Sequence, residues 1–198
     1  MRTLIVASNN DHKIKEIKEF LKDFQLEVLG LKEAGIHIDI DETGKTFMEN
    51  SNIKAKEIFK IAKGSMVLAD DSGLSVDPLN GEPGVFSARY SGNHGNDIEN
   101  NKKLIRNLKG IPYEDRKARF ICAMTLIVNE ETSIEVQGEV EGFILEEYTI
   151  REAFGYDPLF YVPELKATFA DVPLEVKNSI SHRGRALEKL KSQLKKYI

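Results

Sequence analysis

The chain has a single cysteine, Cys122, inside the apolar run Phe120-Ile121-Cys122-Ala123-Met124. One thiol per chain excludes an internal disulfide framework and a zinc site built on paired cysteines. No His/Cys cluster has zinc spacing, and His37 and His94 stand without a partner pattern. Long apolar runs are missing too. None approaches the length that spans a bilayer, and no charged-then-apolar leader opens the sequence. A cytoplasmic location with no membrane partner is therefore expected. Positive charge is not in excess: 28 basic residues face 32 acidic ones, for a net charge of -4. No general affinity for nucleic acid follows, so any anionic ligand must be held by a local cluster of cations. Gly44-Lys45-Thr46 imitates the end of a P-loop, but Asp39 stands where that motif needs its earlier glycine. There is no nucleophile-elbow pattern, internal repeat, low-complexity segment or clear linker.

What is present suits one large globular domain or two closely fused lobes: 198 residues, 41% apolar and 30% charged. Leu4 to Ala7 reads as a buried strand stopped by Ser8-Asn9-Asn10. Ile14, Ile17, Phe20, Leu21 and Phe24 then recur at helical spacing. Val28 to Leu31 and the alternating stretch Ile36 to Ile40 read as further strands. Thr46-Phe47-Met48-Glu49 is a capping box opening a helix that ends near Gly64. Residues 77 to 96 form a long glycine-rich connection, and Phe86, Arg89 and Tyr90 within it mark a functional loop. A helix spans Ile98 to Leu108. Ala118 to Val128 and Ile134 to Val140 form paired strands, which Gly142 to Glu146 can extend. Leu159 to Val162 is a strand, a short helix starts at Asp171 and Pro173, and the last helix begins near Ser181. Helices alternate with strands in the first half and antiparallel hairpins fill the second. That pattern predicts an α/β protein with a mixed sheet flanked by helices.

Val67-Leu-Ala-Asp70-Asp71-Ser72-Gly73 is the most informative stretch. It reads as a buried strand running into two carboxylates, a hydroxyl and a glycine turn. Side-by-side carboxylates repel, and a cation or a shared proton is the usual resolution. The plainer alternative is a strand end with a cap or an Asx-turn. Ser8-Asn9-Asn10-Asp11-His12-Lys13 lies between a strand and a helix. Free N–H groups at a helix start, with a hydroxyl, amides and a lysine, can cradle phosphate. An asparagine N-cap beside a solvated lysine reads equally well there. Glu42 and Lys54 are either site charges or solvated ones. Phe154-Gly155-Tyr156-Asp157 offers an aromatic face and a carboxylate at a tight turn, suited to stacking a base and reading its edge, or to a simple turn. Lys177, His182 and Arg183 add three potential cations at a helix start, against the sense of the helix dipole.

In order, these segments, together with Pro83-Gly-Val-Phe-Ser-Ala-Arg-Tyr90 and Ser181-His-Arg-Gly-Arg-Ala-Leu187, resemble the inosine/xanthosine triphosphate pyrophosphatase family, the Ham1-like nucleotidases. The resemblance runs from residue 3 to about residue 194. It implies that residues 1–198 form one Ham1-like domain: an elongated, two-lobed α/β fold with a long central mixed sheet and a substrate cleft between the lobes. It also implies Mg2+-dependent hydrolysis of ITP, dITP and XTP to the monophosphate and pyrophosphate, cleansing the nucleotide pool, by a homodimer. Ser8 stands where many members have threonine, and Asn9 is a second departure.

By the same resemblance Ser8, Asn9, Asn10, Asp11, His12 and Lys13 hold the triphosphate, with Lys54. Asp71 is proton acceptor and metal ligand, and Asp70 and Glu42 complete the metal environment. Ser72 contacts substrate, Phe154, Gly155, Tyr156 and Asp157 form the base pocket, and Lys177, His182 and Arg183 close it. A 6-keto base presents an acceptor where adenine presents a donor, so a buried donor would be left unpaired opposite adenine. Two other readings stay open: a Maf-like pyrophosphatase for other modified nucleotides, and a nucleotide-binding module without turnover. The module would lack the carboxylates, and Asp70, Asp71 and Glu42 are all present.

Overall fold

The structure is a computed structural model that describes residues 2–149 and 153–198. Seven strands, β1 (Arg2–Val6), β2 (Leu26–Gly30), β3 (Met66–Val76), β4 (Lys117–Asn129), β5 (Thr132–Ile144), β6 (Phe160–Val162) and β7 (Ala167–Thr168), form one sheet in the order β2-β1-β3-β4-β5-β6-β7. β1 runs parallel to β2 and β3, whereas β6 is antiparallel to β5 and β7, so the sheet is mixed as expected. The helices are α1 (Asp11–Leu21), α2 (Phe47–Phe59), α3 (Asp97–Asn107), α4 (Leu174–Ile180) and α5 (His182–Leu194). None among the described residues is long and apolar enough to cross a membrane.

The chain divides into two compact units. The first comprises Met1–Asp71, Cys122–Gly138 and Arg183–Ile198, and the second Ser72–Ile121 and Glu139–His182. In the first, residues 4–6 of β1 and 66–69 of β3 are apolar without a break because both faces are covered. Leu4 and Val6 of β1, with Met66 and Leu68 of β3, pack with Ile17 and Leu21 of α1 and Leu187 and Leu190 of α5. Ile5, Ala7, Val67 and Ala69 point the other way and pack with Ala55 and Ile58 of α2. The two-residue period of β3 continues past these residues. It puts Asp70 on the α1/α5 side and Asp71 on the α2 side. In the second unit Leu74, Leu104, Leu108, Phe120, Val140, Ile144, Phe160 and Phe169 form the core.

Two expectations are corrected. Gly73 is not a turn: β3 runs straight through it to Val76. Glycine stands there because Ser87 presses on the strand, and a Cβ at position 73 would lie 2.3 Å from Ser87 Oγ. Residues 36–40 form no strand despite their alternation. Among the described residues no strand pairs with the stretch; Ile36 and Ile40 pack on the α2-side cluster and Ile38 is exposed. The connection 77–96 contains two 3-10 turns, Asp77–Leu79 and Gly84–Arg89.

Candidate active site

In the first unit Asp70 lies at the centre of a buried ion-pair network. Lys13 Nζ donates to its Oδ1. Arg183 Nε and Cys122 Sγ both donate to Oδ2 at 3.0 Å. Arg183 Nη1 also reaches Glu16 Oε2 of α1 at 2.6 Å. Burial alone would push the Asp70 carboxyl up, but Lys13 and Arg183 outweigh it and hold the group well below the usual carboxylate range. Burial disfavours the Arg183 charge, yet Asp70 and Glu16 keep the guanidinium firmly protonated. The Cys122 thiol is pushed well up by burial and by the neighbouring Asp70 charge.

Asp71 sits on the opposite face with a different cation. Lys54 of α2 donates to Asp71 Oδ1 at 2.9 Å and lies 3.1 Å from Glu42 Oε1. Burial raises the Asp71 carboxyl above its ordinary value, and Lys54 only partly offsets this. Burial works against the Lys54 charge as well, but Asp71 and Glu42 prevail and its ammonium is raised. Asp71 Oδ2 is buried and has no hydrogen-bond partner among the described residues. The adjacent carboxylates are therefore ion-paired to different side-chain cations. The pleat separates them, and each has its own ammonium or guanidinium.

An orphaned carboxylate oxygen on Asp71, with Glu42 at the same ammonium, fits a hard divalent cation, which takes carboxylate oxygens. Both oxygens of Asp70 are engaged by protein donors on the other face. Among the described residues no three His, Cys, Asp or Glu side chains group closely enough to cage an ion.

The segment carrying Glu42 is pinned by α2. Asn50 Oδ1 accepts from Gly44 N–H at 2.8 Å, and Glu49 Oε2 accepts from Lys45 N–H at 2.6 Å. A Cβ at Gly44 would fall 2.6 Å from Asn50 Oδ1. Gly44-Lys45-Thr46 is thus a close approach followed by the N-cap of α2, with Thr46 and Glu49 forming the reciprocal box. At the start of α1, Asn10 Oδ1 accepts from His12 and Lys13 N–H, and Ser8 Oγ accepts from Asn10 N–H at 3.1 Å. The asparagine cap is realised, with Asn9, Asp11 and His12 exposed and Lys13 turned back to Asp70.

In the second unit Ser72 follows on β3, half-buried. Lys177 of α4 is ion-paired with Asp157, and its ammonium stands 5.7 Å from the Phe154 ring centroid and 5.6 Å from that of Phe169. His182 stacks on Phe120 with centroids 4.8 Å apart and planes inclined by 13°. Tyr156 hydroxyl donates to Ser87 carbonyl at 2.8 Å, and Ser87 Oγ in turn accepts from Leu74 N–H at 2.9 Å. The turn at 154–157, Lys177 and Phe169 are thus gathered in one place, and the His182 ring lies on Phe120 of the same aromatic core. Glu16 goes unmarked in the sequence, Cys122 reads there as a core thiol, and Ser87 appears only within a motif, so none of the three is among the expected site residues. Glu16 lies one turn after Lys13 on α1, a spacing that puts both on one face.

The sequence and the fold have close counterparts among known proteins. The Ham1 family model matches residues 4–193. A dITP/XTP pyrophosphatase of Clostridium perfringens is 56% identical over 200 residues, covering 98% of this chain and 98% of that protein. The structure of a HAM1 protein from Coxiella burnetii matches with a TM-score of 0.89 at 41% identity, covering 99% of this chain and 100% of the other. The Staphylococcus aureus Ham1 protein matches with a TM-score of 0.88 at 39% identity, covering 98% and 99%. The agreement extends from the first strand to the last helix, and the chain belongs to the Ham1 family.

Proposed function

We propose that this protein hydrolyses non-standard purine nucleoside triphosphates, namely dITP, ITP and XTP, to the monophosphate and pyrophosphate. The full-length identity with a dITP/XTP pyrophosphatase carries the reading. The chemistry is assigned to Asp71. Its raised carboxyl, buried beside Lys54, is suited to take the proton of a water attacking the α-phosphorus. Lys54 balances the negative charge of Asp71 and Glu42. Magnesium, held by Asp71 and Glu42 and by the substrate's own phosphates, would neutralise phosphate charge and orient that water. Asp70 acts from the other face as the anchor of Lys13 and Arg183.

The N-terminal turn of α1, from Ser8 to Lys13, takes the triphosphate through the Lys13 charge and its polar groups, the N–H groups of Asn10, His12 and Lys13 being exchanged from their present caps to phosphate. Ser72 contacts the substrate beside Asp71. Phe154, Gly155, Tyr156 and Asp157 receive the base, with Lys177 and His182 bordering it. A fixed donor there meets the 6-keto oxygen of hypoxanthine or xanthine and is left unpaired opposite adenine. The homodimer and the cytoplasmic location of the sequence reading remain part of this proposal.

The test is a magnesium titration of pyrophosphate release with ITP, dITP, XTP, GTP and ATP. ITP and XTP should exceed ATP by well over ~10²-fold in kcat/KM, because a buried unpaired polar group is heavily penalised. Equal hydrolysis of ATP, orthophosphate as first product, or full activity in chelator would overturn the proposal.

A further inference from the structure

Helix α3 carries a buried amide that core packing does not explain. Asn101 is 1% exposed. Its Nδ2 donates to the carbonyl of Gly155 at 2.7 Å and to the carbonyl of Asp97 at 2.8 Å. Asp97 lies one turn earlier on the same face of α3, and its Oδ2 accepts from Gly155 N–H at 2.8 Å. Both backbone polar groups of Gly155 are therefore held by two side chains of one helix. Gly155 itself is left-handed, with φ +55°, a conformation that glycine adopts without steric cost. The helix has an apolar anchor of its own in Leu104, and Leu108 at its C-cap is another. A buried amide beside them is costly unless its hydrogen bonds serve something.

The clamp is itself fixed. On the neighbouring face of the same region, Asn100 Oδ1 accepts from Ser91 N–H at 2.7 Å, and Lys103 Nζ donates to Tyr90 carbonyl at 2.7 Å. From the other side, Tyr156 hydroxyl holds Ser87. The turn Phe154 to Asp157 thus hangs from a helix that is tied to the 82–91 loop.

We propose that Asn101 and Asp97 are positioning residues for base selection. By clamping Gly155 they hold the 154–157 turn in the one geometry in which it distinguishes a 6-keto purine from adenine. The inference rests on the assignment of that turn to the base. Selection by an unpaired donor works only if the donor cannot swing away from the wrong base. A turn free to relax would pair or rehydrate, and the penalty would be lost. Asp71, Lys54 and Glu42 belong to other elements, so loosening the turn should act on KM and base preference and leave kcat for dITP nearly unchanged.

The test compares Asn101→Ala, Asn101→Asp, Asp97→Ala and Asp97→Asn with the wild type. Each variant is checked for folding by circular dichroism and assayed with dITP and ATP. Asn101→Ala should raise KM for dITP by about 10-fold and shrink the dITP-over-ATP preference by a similar factor. Asn101→Asp keeps the shape but sets an acceptor against two carbonyls, and its effect should be larger. Asp97→Asn keeps an oxygen facing Gly155 N–H and should retain more base preference than Asp97→Ala. The Asp97 pair decides the matter if the Asn101 variants fail to fold. Unchanged KM and preference in folded Asn101→Ala and Asp97→Ala would overturn the inference. So would a fall in kcat that is equal for both substrates, since that marks a purely structural role. A wild-type enzyme with no preference for dITP would remove the base-site reading itself, and the wild-type assay alone reveals that.

Discussion

Asp70 and Asp71 are neighbours on one strand, yet they meet different cations on opposite faces of the sheet. Asp70 is ringed by Lys13, Arg183 and the Cys122 thiol, and its carboxyl is held low. Asp71 has one oxygen on Lys54 and the other buried without a partner among the described residues, and its carboxyl is held high. The strand's two-residue period thus makes two carboxylates with opposite character from one dipeptide. One is an anchor, charged at neutral pH. The other is poised to accept a proton.

Asp71→Asn should lower turnover by about 10²–10⁴-fold, the usual worth of a general base, and further if a metal ligand is lost as well. Stability should move the other way. Because the folded carboxyl is raised, its contribution to stability is present below the unfolded value, near 3.9, and is lost as pH rises through the raised folded value. At neutral pH in chelator the Asn variant should therefore melt at or above the wild type, with the gap closing in acid. Pyrophosphate release and melting curves read the two effects separately. Near wild-type turnover at saturating magnesium would remove Asp71 from the chemistry.

Asp70→Asn should do the reverse and destabilise the fold by about 3–5 kcal/mol, because it takes the counter-charge from Lys13 and leaves Arg183 with Glu16 alone. The pH signature is specific. A depressed carboxyl contributes stability above its unfolded value that is lost as pH falls through its low folded value. The wild type should thus lose stability in strong acid more steeply than Asp70→Asn. Parallel stability curves for the two proteins between pH 7 and pH 2 would contradict the ion-pair assignment.

Lys13→Ala should raise KM for every triphosphate by about 10-fold, the scale of one charged hydrogen bond, while leaving the ITP-to-GTP ratio intact. Lys13 stands at the start of α1, and the base candidates at 154–157 lie in the other unit. The substitution also leaves Asp70 with Arg183 as its remaining cation, so acid unfolding should begin at higher pH. A changed ITP-to-GTP ratio with unaltered KM would contradict the phosphate role.

Much of this was legible in the sequence. The unbroken apolar runs of β1 and β3 announce strands covered by helices on both faces, and the Thr46–Glu49 box carries its own chemistry. The Asp70–Lys13 and Asp70–Arg183 pairs were not legible, since they join positions 57 and 113 residues apart. The opposed directions of Asp70 and Asp71 follow from strand period, but only once the strand is known to continue through Gly73. The glycine there answers to the close approach of Ser87 and not to a turn. Residues 36–40 show the converse: alternation without a partner strand gives no ladder. β7, two residues long, is too short to carry a period. Asn101 reads in sequence as one polar residue of a helix, and only the contact with Gly155 distinguishes it.

Arg183 tests how far motif position predicts role. Its place beside His182 suggested a base contact, but in the first unit its guanidinium bridges two carboxylates, Nε to Asp70 and Nη1 to Glu16. A lysine carries the charge on one point and cannot reproduce that two-sided fork. Arg183→Lys should therefore lower the melting temperature. The partner substitution Glu16→Gln should cost less in the Arg183→Lys background than in the wild type, with a coupling of about 0.5–3 kcal/mol across the double-mutant cycle. Because Nε and Nη1 are committed to carboxylates, the ITP-over-ATP preference should stay within about 2-fold of wild type, the change expected when no base contact is lost. An Arg183→Lys enzyme with wild-type melting and a collapsed base preference would reverse this assignment. It would make the guanidinium the donor that reads the 6-keto oxygen, and the ion pairs its support.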